Sequence, residues 1–273
     1  MYKREIKEYQ IQSPKIRHDI SIAFLSDMHG QMNRTEIDRL ISDVNKIKPN
    51  LILCGGDMMT ANQIPSMKSA LACYKKLIQI APVYAVNGNH ETYCAAGISQ
   101  TSPYNEKYCR KLEEIGIHSL NNKKEMVKIG QNRLMLIGFE AEPFLYKKLR
   151  RPRMPEGYID EELFSDSSEV FKILLAHNPY FGDEYFASGS DLILSGHYHA
   201  GIMRLGGNRI LVSPYGFPFP RYGYGRFDKD GLTSTNDTPV QQTMIVSAGL
   251  GEHRLPFRIN NPTELIHIRI KGV

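Results

Sequence analysis

The first half of the chain alternates between short apolar runs and segments in which apolar residues recur with a helical period. The runs 20–26, 51–54 and 83–86 predict buried strands, because they are short and almost wholly apolar. The apolar residues of 34–47 recur every three or four positions, which predicts a helix, and a second helix is predicted over 66–80. This alternation predicts a mostly parallel sheet with helices packed on it.

The second half of the chain contains more predicted strands than helices. A helix is predicted at 105–115, followed by two neighbouring strands at 125–129 and 133–138 that are joined near Gly130. Further strands are predicted at 172–176, 191–195, 209–212, 243–247 and 265–270. The intervening segment 140–168 is rich in proline and basic residues and has no clear period, so we expect it to form a cap or a long surface insertion.

Length and composition are those of an ordinary globular protein. The chain has 273 residues, of which 41% are hydrophobic and 23% charged, and this excludes wholesale disorder, collagen and a disulfide scaffold. A chain of this length buries about 75% of its unfolded surface, so we expect one domain over 1–273. No transmembrane helix is predicted, because the apolar run at 22–25 is far shorter than the roughly 20 residues that span a bilayer. Residues 1–12 also lack the apolar core of a secretory signal.

Cysteine spacing bears on the cellular compartment, and net charge bears on the kind of binding partner. The four cysteines form no C-x-x-C pair, which favours a reducing, cytoplasmic compartment. The net charge of +5 favours anionic partners only weakly.

Two segments of the chain have two interpretations each. The basic run 147–153 is either a solvated loop or a patch for an acidic substrate or lipid headgroup, and the aromatic loop 214–227 either packs on its own surface or lines a substrate site.

Five short polar motifs each follow a predicted strand. They are Asp27-Met28-His29-Gly30, Gly55-Gly56-Asp57, Gly88-Asn89-His90-Glu91, Ala176-His177-Asn178-Pro179 and Gly196-His197-Tyr198-His199. Any one of them alone has an ordinary explanation, such as a tight turn at 55–57. Ligands bind at the carboxyl ends of strands in α/β sheets, so the joint occurrence of the motifs predicts that two Asp, one Asn and five His converge at one edge of the sheet.

This set of side chains is suited to divalent metal ions. Oxygen and imidazole ligands without thiolates favour Mn, Fe, Zn or similar ions. Asp27 and His29 are two residues apart where a strand ends, so both can point at one ion, and His197 and His199 repeat that spacing. Eight groups are too many for one tetrahedral ion but suit two ions that share a carboxylate. Two ions about 3.5–4 Å apart clamp a phosphoryl group during in-line displacement, which predicts phosphate esters as substrates.

In this order the five motifs resemble those of the calcineurin-like metallophosphoesterase superfamily, and the segments 249–251, 255–258 and 261–264 resemble a bacterial branch of small phosphodiesterases. The resemblance implies a four-layer α-β-β-α sandwich of two mixed sheets. It implies two divalent ions (Mn, Fe, Zn or Co) with Asp57 as the bridge. The implied ligands are Asp27, His29, Asp57 and His199 for the first ion, and Asp57, Asn89, His177 and His197 for the second. It also implies attack by a metal-bridging hydroxide, with His90 protonating the leaving oxygen or steadying the phosphate.

Departures from the family pattern bear on the substrate. Protein Ser/Thr phosphatases of the superfamily carry G-D-x-x-D-R-G and R-G-N-H-E, whereas 56–62 and 87–91 here read GDMMTAN and NGNHE. Both arginines that would clamp a doubly charged monoester are missing, and so is the Asp that would orient His90. A diester has one charge fewer and needs the clamp less. We therefore predict a phosphodiesterase that acts on a nucleotide or lipid-like diester.

Three alternatives stay open at this point. A phosphomonoesterase uses the same metal centre. A nuclease is disfavoured by the mild net charge and by the lack of a long basic stripe. A non-catalytic scaffold for partner proteins is disfavoured because every expected ligand is present. The sequence thus predicts a small diester as the partner, no nucleic acid, at most peripheral contact with a membrane, and no evident protein partner.

Overall fold

Two six-stranded mixed sheets form the centre of the protein in the computed structural model, which describes residues 4–95, 102–147, 152–155, 158–159, 163, 169–201, 203–204, 209–231, 240–251 and 258–273. The strands are β1 (Arg4–Ser13), β2 (Ile20–Leu25), β3 (Leu51–Cys54), β4 (Val83–Ala85), β5 (His118–Ser119), β6 (Lys123–Ile129), β7 (Asn132–Phe139), β8 (Phe171–Ala176), β9 (Leu192–Ser195), β10 (Gly225–Gly231), β11 (Val240–Val246) and β12 (Thr263–Gly272). The helices are α1 (Arg34–Ile47), α2 (Ile64–Leu77), α3 (Asn89–Ala95), α4 (Ser102–Ile115) and α5 (Gly182–Ala187), with 3₁₀ turns at Pro143–Tyr146 and Pro179–Phe181.

Both sheets combine a parallel block with antiparallel additions. The first sheet has the order β1-β12-β2-β3-β4-β5, in which β2 to β5 are parallel and β12 runs antiparallel to β2. The second sheet has the order β10-β11-β9-β8-β7-β6, in which β7, β8, β9 and β11 are parallel and the two edge strands are antiparallel. The parallel blocks therefore have their carboxyl ends on one side, where connecting loops meet.

The core is divided by the alternation of side chains along the strands. Ile22 and Phe24 of β2 pack with Ile173 and Leu175 of β8, in the apolar layer between the two sheets. The side chains between them in sequence point the other way, and on the first sheet they pack against α1, α2 and α4. A further cluster covers the outer face of the second sheet and includes Tyr185 of α5. Helices on both outer faces and two sheets between them confirm the four-layer architecture.

Helix α1 forms where the apolar period predicts it, over 34–47. Its amino end is closed by a capping box, in which Asn33 Oδ1 accepts the Glu36 N–H at 3.1 Å and Glu36 Oε2 accepts the Asn33 N–H at 2.8 Å. Its buried positions include Leu40 and Val44, which are one turn apart and face the sheet. The helix ends at Lys48, whose φ of 50° lies in the left-handed region.

Several elements differ from the pattern-based predictions, among them the short elements α3, α5 and β5, which were not predicted. Strand β1 was not predicted, because most of its residues are exposed and its pairing with β12 adds an edge strand with little burial. Strand β10 starts within the predicted loop 214–227. The strand predicted at 209–212 is wrong, because this segment forms only isolated bridges, from Ile210 to Arg204 and from Val212 to Pro218.

The insertion predicted at 140–168 lies partly outside the described residues. Its described start is a 3₁₀ turn that buries Leu145 and Tyr146 against the outer face of the second sheet. Residues 148–151, which include most of the basic run, are among those that the structure does not describe. Among the described residues, no helix has both the length and the apolar character needed to cross a membrane.

Candidate metal centre

The five motifs meet where the parallel strands of the two sheets end. Within the first sheet, the Asp27 N–H donates to the Gly56 carbonyl at 3.0 Å and the His29 N–H to the Asp57 carbonyl at 2.9 Å. Across the sheets, His177 Nε2 lies 3.2 Å from Asp57 Oδ2. The loops after β2, β3, β4, β8 and β9 therefore carry their polar side chains to one place, as the sequence predicts.

Left-handed backbone conformations are concentrated in these loops. Positive φ angles occur at Asp27 (55°), His29 (51°), Asp57 (51°), His197 (68°) and His199 (50°). For a non-glycine residue this conformation costs of order 1 kcal/mol or more and persists where the surrounding structure enforces it. Five of the predicted metal ligands thus have this strained conformation.

A first group of ligand atoms consists of Asp27, His29 and His199. The Nε2 atoms of the two histidines are 3.0 Å apart, and their rings stack with centroids 4.9 Å apart. His199 Nε2 lies 3.4 Å from Asp27 Oδ1. Potential ligand atoms of the three side chains all lie within 4.8 Å of one another, so they can face a single ion.

A second group consists of Asp57, His177 and His197, again with potential ligand atoms within 4.8 Å of one another. The Asp57 carboxylate also lies 4.0 Å from His29 Nε2, which belongs to the first group. Asp57 therefore lies between the two groups, which is the position required of a bridging ligand. These are the groupings that the family resemblance implies for the two ions.

Buried polar atoms that lack good hydrogen bonds indicate that this cluster can bind metal cations. Asn89 Oδ1 and His177 Nε2 are inaccessible to solvent. Asn89 Oδ1 makes no hydrogen bond within the described part of the chain, and His177 Nε2 approaches Asp57 Oδ2 at 3.2 Å without the geometry of a hydrogen bond. Buried polar atoms without partners are rare in folded proteins. His177 Nδ1 donates to the Gly55 carbonyl at 2.7 Å, which leaves Nε2 as the nitrogen that faces the Asp57 carboxylate. The donor set and its unpaired atoms thus fit divalent ions.

The ionisable groups of the centre are buried, so each depends on the charge of its neighbours. Burial raises the pKa of Asp27 to about 6, with His177 opposing the shift and Asp57 adding to it. Burial also disfavours the charged form of Asp57, but the facing histidines, His177 foremost, hold its pKa well below the usual range. Against its own burial, the pKa of His177 is raised to about 9, chiefly by Asp57. Two buried carboxylates thus draw positive charge to the centre.

His90 lies at the edge of the centre. Its ring is perpendicular to that of His29, with centroids 4.9 Å apart, and is partly exposed. His90 Nδ1 accepts the backbone N–H of Ala61 at 3.1 Å. A nitrogen that accepts a hydrogen bond carries no proton, so the neutral ring carries its proton on Nε2. Nε2 is therefore available as a donor.

Glu91 binds the backbone of the segments that carry Asp57 and Asn89, a role that the sequence did not predict. Its carboxylate accepts the backbone N–H groups of Asp57 at 2.9 Å, Gly88 at 3.0 Å and Met59 at 3.1 Å. Burial raises the pKa of Glu91 to about 7, and the charge of Asp57 adds to the shift. The described contacts of Glu91 therefore organise backbone rather than the His90 ring. The position of Glu91 directly after His90 is the sequence signal that could have indicated it.

Arg258 is a second buried residue to which the sequence motifs give no role. One of its terminal nitrogens lies 3.2 Å from His199 Nδ1, and the other donates to the Ala248 carbonyl at 2.9 Å. Its guanidinium also binds the Gly251 carbonyl. The neighbouring Asn261 donates to the His199 carbonyl at 2.7 Å. Arg258 and Asn261 of the carboxyl-terminal segment thus contact the ring and the backbone of His199.

The comparisons with known proteins agree with this geometry. The calcineurin-like phosphoesterase family matches residues 20–201. An uncharacterized metallophosphoesterase of Helicobacter pylori J99 is 27% identical over 97% of this chain and 64% of its own length. An uncharacterized metallophosphoesterase of Aquifex aeolicus is 27% identical over 99% of this chain and 93% of its own length. The chain thus spans less than two thirds of the Helicobacter protein.

Among solved structures, TT1561 of Thermus thermophilus has a TM-score of 0.50 and 11% sequence identity, and the match covers 85% of this chain and 91% of that one. At this level of identity the likeness concerns the fold alone.

Proposed function

Since the chain belongs to the calcineurin-like phosphoesterase family, we propose that it hydrolyses phosphodiesters with the help of two divalent metal ions. The observation that supports this proposal most directly is the position of the Asp57 carboxylate between the Asp27-His29-His199 group and the His177-His197 pair. When bound, the two ions would activate a water molecule for attack and offset negative charge on the phosphoryl oxygens.

The chain's own residues have distinct roles in this proposal. The first ion would be held by Asp27, His29 and His199, and the second by the residues His177, His197 and Asn89, with Asp57 shared. His177 is kept in the correct tautomer by the Gly55 carbonyl. The ions could be Mn, Fe, Zn or Co, all of which accept nitrogen and oxygen ligands.

The hydrogen bond from Ala61 to His90 distinguishes two roles for that histidine. A general acid would require a proton on both ring nitrogens, and a protonated Nδ1 would face the Ala61 N–H, donor against donor. A neutral ring with its proton on Nε2 keeps this bond and donates to a phosphoryl oxygen instead. Donors aimed at developing charge lower the barrier in a water-poor site. We therefore favour the phosphate-steadying role over proton transfer.

The preference for a diester is supported by where Arg258 lies. Its guanidinium donates to carbonyl groups and faces the ring of His199, so it is held behind this predicted ligand. It is therefore not placed to clamp a phosphate bidentately, as a monoesterase arginine would. Neither arginine of the phosphatase motifs is present in this sequence.

The test compares two chromogenic substrates on metal-stripped protein resupplied with Mn²⁺. We expect bis-(p-nitrophenyl) phosphate to be hydrolysed faster than p-nitrophenyl phosphate, and a chelator to abolish both activities. A preference for the monoester would contradict the diester assignment and identify a phosphatase. Absence of both activities in folded, metal-loaded protein would contradict the enzymatic role itself.

A further inference from the structure

The loops that follow His199 expose several apolar side chains. Leu211 is 38% exposed, Ile259 is 43% exposed and Phe219 is 61% exposed, and Met203 is partly exposed. Single exposed apolar residues are common on protein surfaces, whereas a contiguous group of them marks an interaction site. Backbone pairing between the loops shows that these four residues belong to one group.

The four side chains form a row across four neighbouring chain segments. Met203 and Ile259 form a parallel bridge. The Leu211 N–H donates to the Met203 carbonyl at 3.3 Å, and the Phe219 N–H donates to the Leu211 carbonyl at 3.1 Å. The antiparallel bridges of this region set a register in which each residue lies opposite the next, and opposite residues of paired segments have their side chains on the same face. We call Ile259, Met203, Leu211 and Phe219 the apolar row.

The opposite face of these segments packs on the protein. Ile210, which is next to Leu211, is fully buried in a cluster that includes Tyr224. The guanidinium of Arg204, which is next to Met203, lies over the Tyr224 ring, 4.5 Å from its centroid. Because neighbouring residues of an extended segment point to opposite faces, the apolar row lies on the side that faces solvent.

The backbone presents Phe219 in a strained conformation. Its φ of 49° lies in the left-handed region, which is unusual for a bulky residue. The prolines at 218 and 220 restrict the chain on both sides of it. The ring is largely exposed, so burial of the ring does not offset this strain. Strain of this kind persists at positions where a side chain is presented for binding.

The chain around the apolar row carries positive charge. Residues 192–227 include four arginines and no Asp or Glu. Arg209, which is exposed, is two residues before Leu211 and therefore lies on the face of the apolar row. Arg221 is two residues after Phe219 and pairs with the exposed Asp183 at 2.5 Å. This surface therefore suits a partner that is both apolar and anionic.

We propose that the apolar row docks on a membrane surface that contains anionic lipids, with the Phe219 ring inserted at the level of the headgroups and Arg209 beside the lipid phosphates. Aromatic rings at the membrane–water interface and basic residues near anionic headgroups each stabilise such docking. A second copy of this chain fits less well, because four side chains offer far less than the roughly 800 Å² per partner that a standard protein interface buries. Docking requires no reaction at the metal centre, so it is tested separately from the proposed function.

The experiment measures how the protein sediments with vesicles of phosphatidylcholine alone or of an equal mixture of phosphatidylcholine and phosphatidylglycerol. We expect the partition coefficient to be at least about tenfold higher for the anionic vesicles, because arginines near the surface are attracted to anionic headgroups. The partition coefficient should fall as salt is added, because salt screens this attraction.

Phe219→Asn removes the ring and keeps the backbone, because asparagine adopts the left-handed conformation readily. It should lower partition into the anionic vesicles by about tenfold, the effect of withdrawing one large apolar side chain, and Leu211→Ser should act in the same direction. Arg209→Gln should lower it by about fivefold. Met126→Ser is the matched control, since Met126 is 38% exposed like Leu211 but lies on β6, the edge strand opposite β10 in the second sheet. This variant should keep the wild-type partition, and circular dichroism checks the fold of all four.

A second measurement uses the absence of tryptophan from this sequence. A single introduced tryptophan reports only its own surroundings. The fluorescence of Phe219→Trp should shift to the blue on anionic vesicles and should be quenched by brominated lipids. Met126→Trp should show neither effect.

Four results would overturn the docking proposal and leave the phosphodiesterase proposal standing. The first is no partition of the wild-type protein into anionic vesicles, and the second is equal partition into neutral ones. The third is binding that Phe219→Asn and Leu211→Ser leave unchanged, which would place the contact elsewhere on the protein. The fourth is a dimer that light scattering detects without vesicles and that Phe219→Asn dissociates, which would assign the apolar row to a second copy of the chain.

Discussion

The carboxylate of Glu91 accepts the backbone N–H of Asp57 at 2.9 Å, while the carboxylate of Asp57 accepts the backbone N–H of His90 at 2.8 Å. Asp57 lies in the loop after β3, whereas His90 and Glu91 lie at the start of α3, which follows the neighbouring strand β4. The reciprocal hydrogen bonds hold the loop after β3 against the start of α3 beside the metal centre. Asp57 thus has one oxygen fixed by backbone and the other directed at His177.

Truncation of Glu91 should destabilise the protein before any effect on chemistry is considered. Glu91→Ala leaves three buried N–H donors without an acceptor, at about 1–3 kcal/mol each, so we expect the free energy of unfolding to fall by about 3 kcal/mol or more. Glu91→Gln should lose less, because its amide oxygen still accepts from part of this set. Urea unfolding of metal-stripped protein measures both, with the exposed Glu114→Ala as control. Equal stability of Glu91→Ala and Glu114→Ala would contradict the loop-locking role.

Asp57→Asn should abolish turnover while leaving the fold intact. The amide oxygen can still accept the His90 N–H, but the negative charge shared by the two ligand groups is lost. Circular dichroism checks the fold, and hydrolysis of bis-(p-nitrophenyl) phosphate checks activity. Asp38→Asn, at a half-exposed ion pair with Lys76, is the control and should keep full activity. Substantial turnover by Asp57→Asn would reject Asp57 as the bridge.

Substitutions of His90 should distinguish a hydrogen-bond donor from an acid. Glutamine can present an N–H near the position of Nε2, so His90→Gln should retain more activity than His90→Ala. Both losses should be similar for diesters with good and with poor leaving groups, measured as kcat for a series of aryl esters. A loss in His90→Ala that grows steeply as the leaving group becomes poorer would instead assign His90 the proton-transfer role, worth typically about 10²–10⁴-fold.

The number of bound ions should follow the two ligand groups. Metal-stripped protein titrated with Mn²⁺ should bind two ions per chain, and His199→Ala and His197→Ala should each bind one. Because ions bind the folded form, each should also raise Tm. Calorimetry gives the stoichiometry, and His118→Ala, at a partly exposed surface histidine, is the matched control. One ion per wild-type chain at saturation would contradict the dinuclear assignment.

Replacing Arg258 should weaken metal binding without removing a ligand. Arg258→Met keeps the length of the side chain but loses the donors to the Ala248 and Gly251 carbonyls and the guanidinium that packs against the His199 ring. Residues that orient metal ligands typically contribute about 10–100-fold in affinity, so Mn²⁺ affinity should fall within that range. Arg269→Met, at a half-exposed ion pair with Glu8, is the control. An unchanged affinity would contradict the positioning role.

Elements with strong local patterns were predictable, and elements that depend on distant pairing were not. Helix α1 carries both an apolar stripe and a capping box, so the pattern and the structure agree over 34–47. Strand β1 has mostly exposed residues and exists because β12, almost at the other end of the chain, pairs with it. The apolar segment 209–212 looked like a strand, but it has no continuous partner: Ile210 packs in an aromatic cluster, whereas Leu211 and Val212 are exposed.

The sequence by itself determined the residue types of the centre and their order behind successive strands, because residue identity and hydrophobic period are local properties. It therefore predicted which side chains meet. Only the tertiary structure decided which groups these residues contact. The backbone N–H of Ala61 donates to the ring of His90, the carboxylate of Glu91 accepts from the backbone of Asp57, and the guanidinium of Arg258 lies against the ring of His199. Those contacts join residues far apart in the chain, and they depend on how the two sheets and their loops pack, which no local pattern specifies.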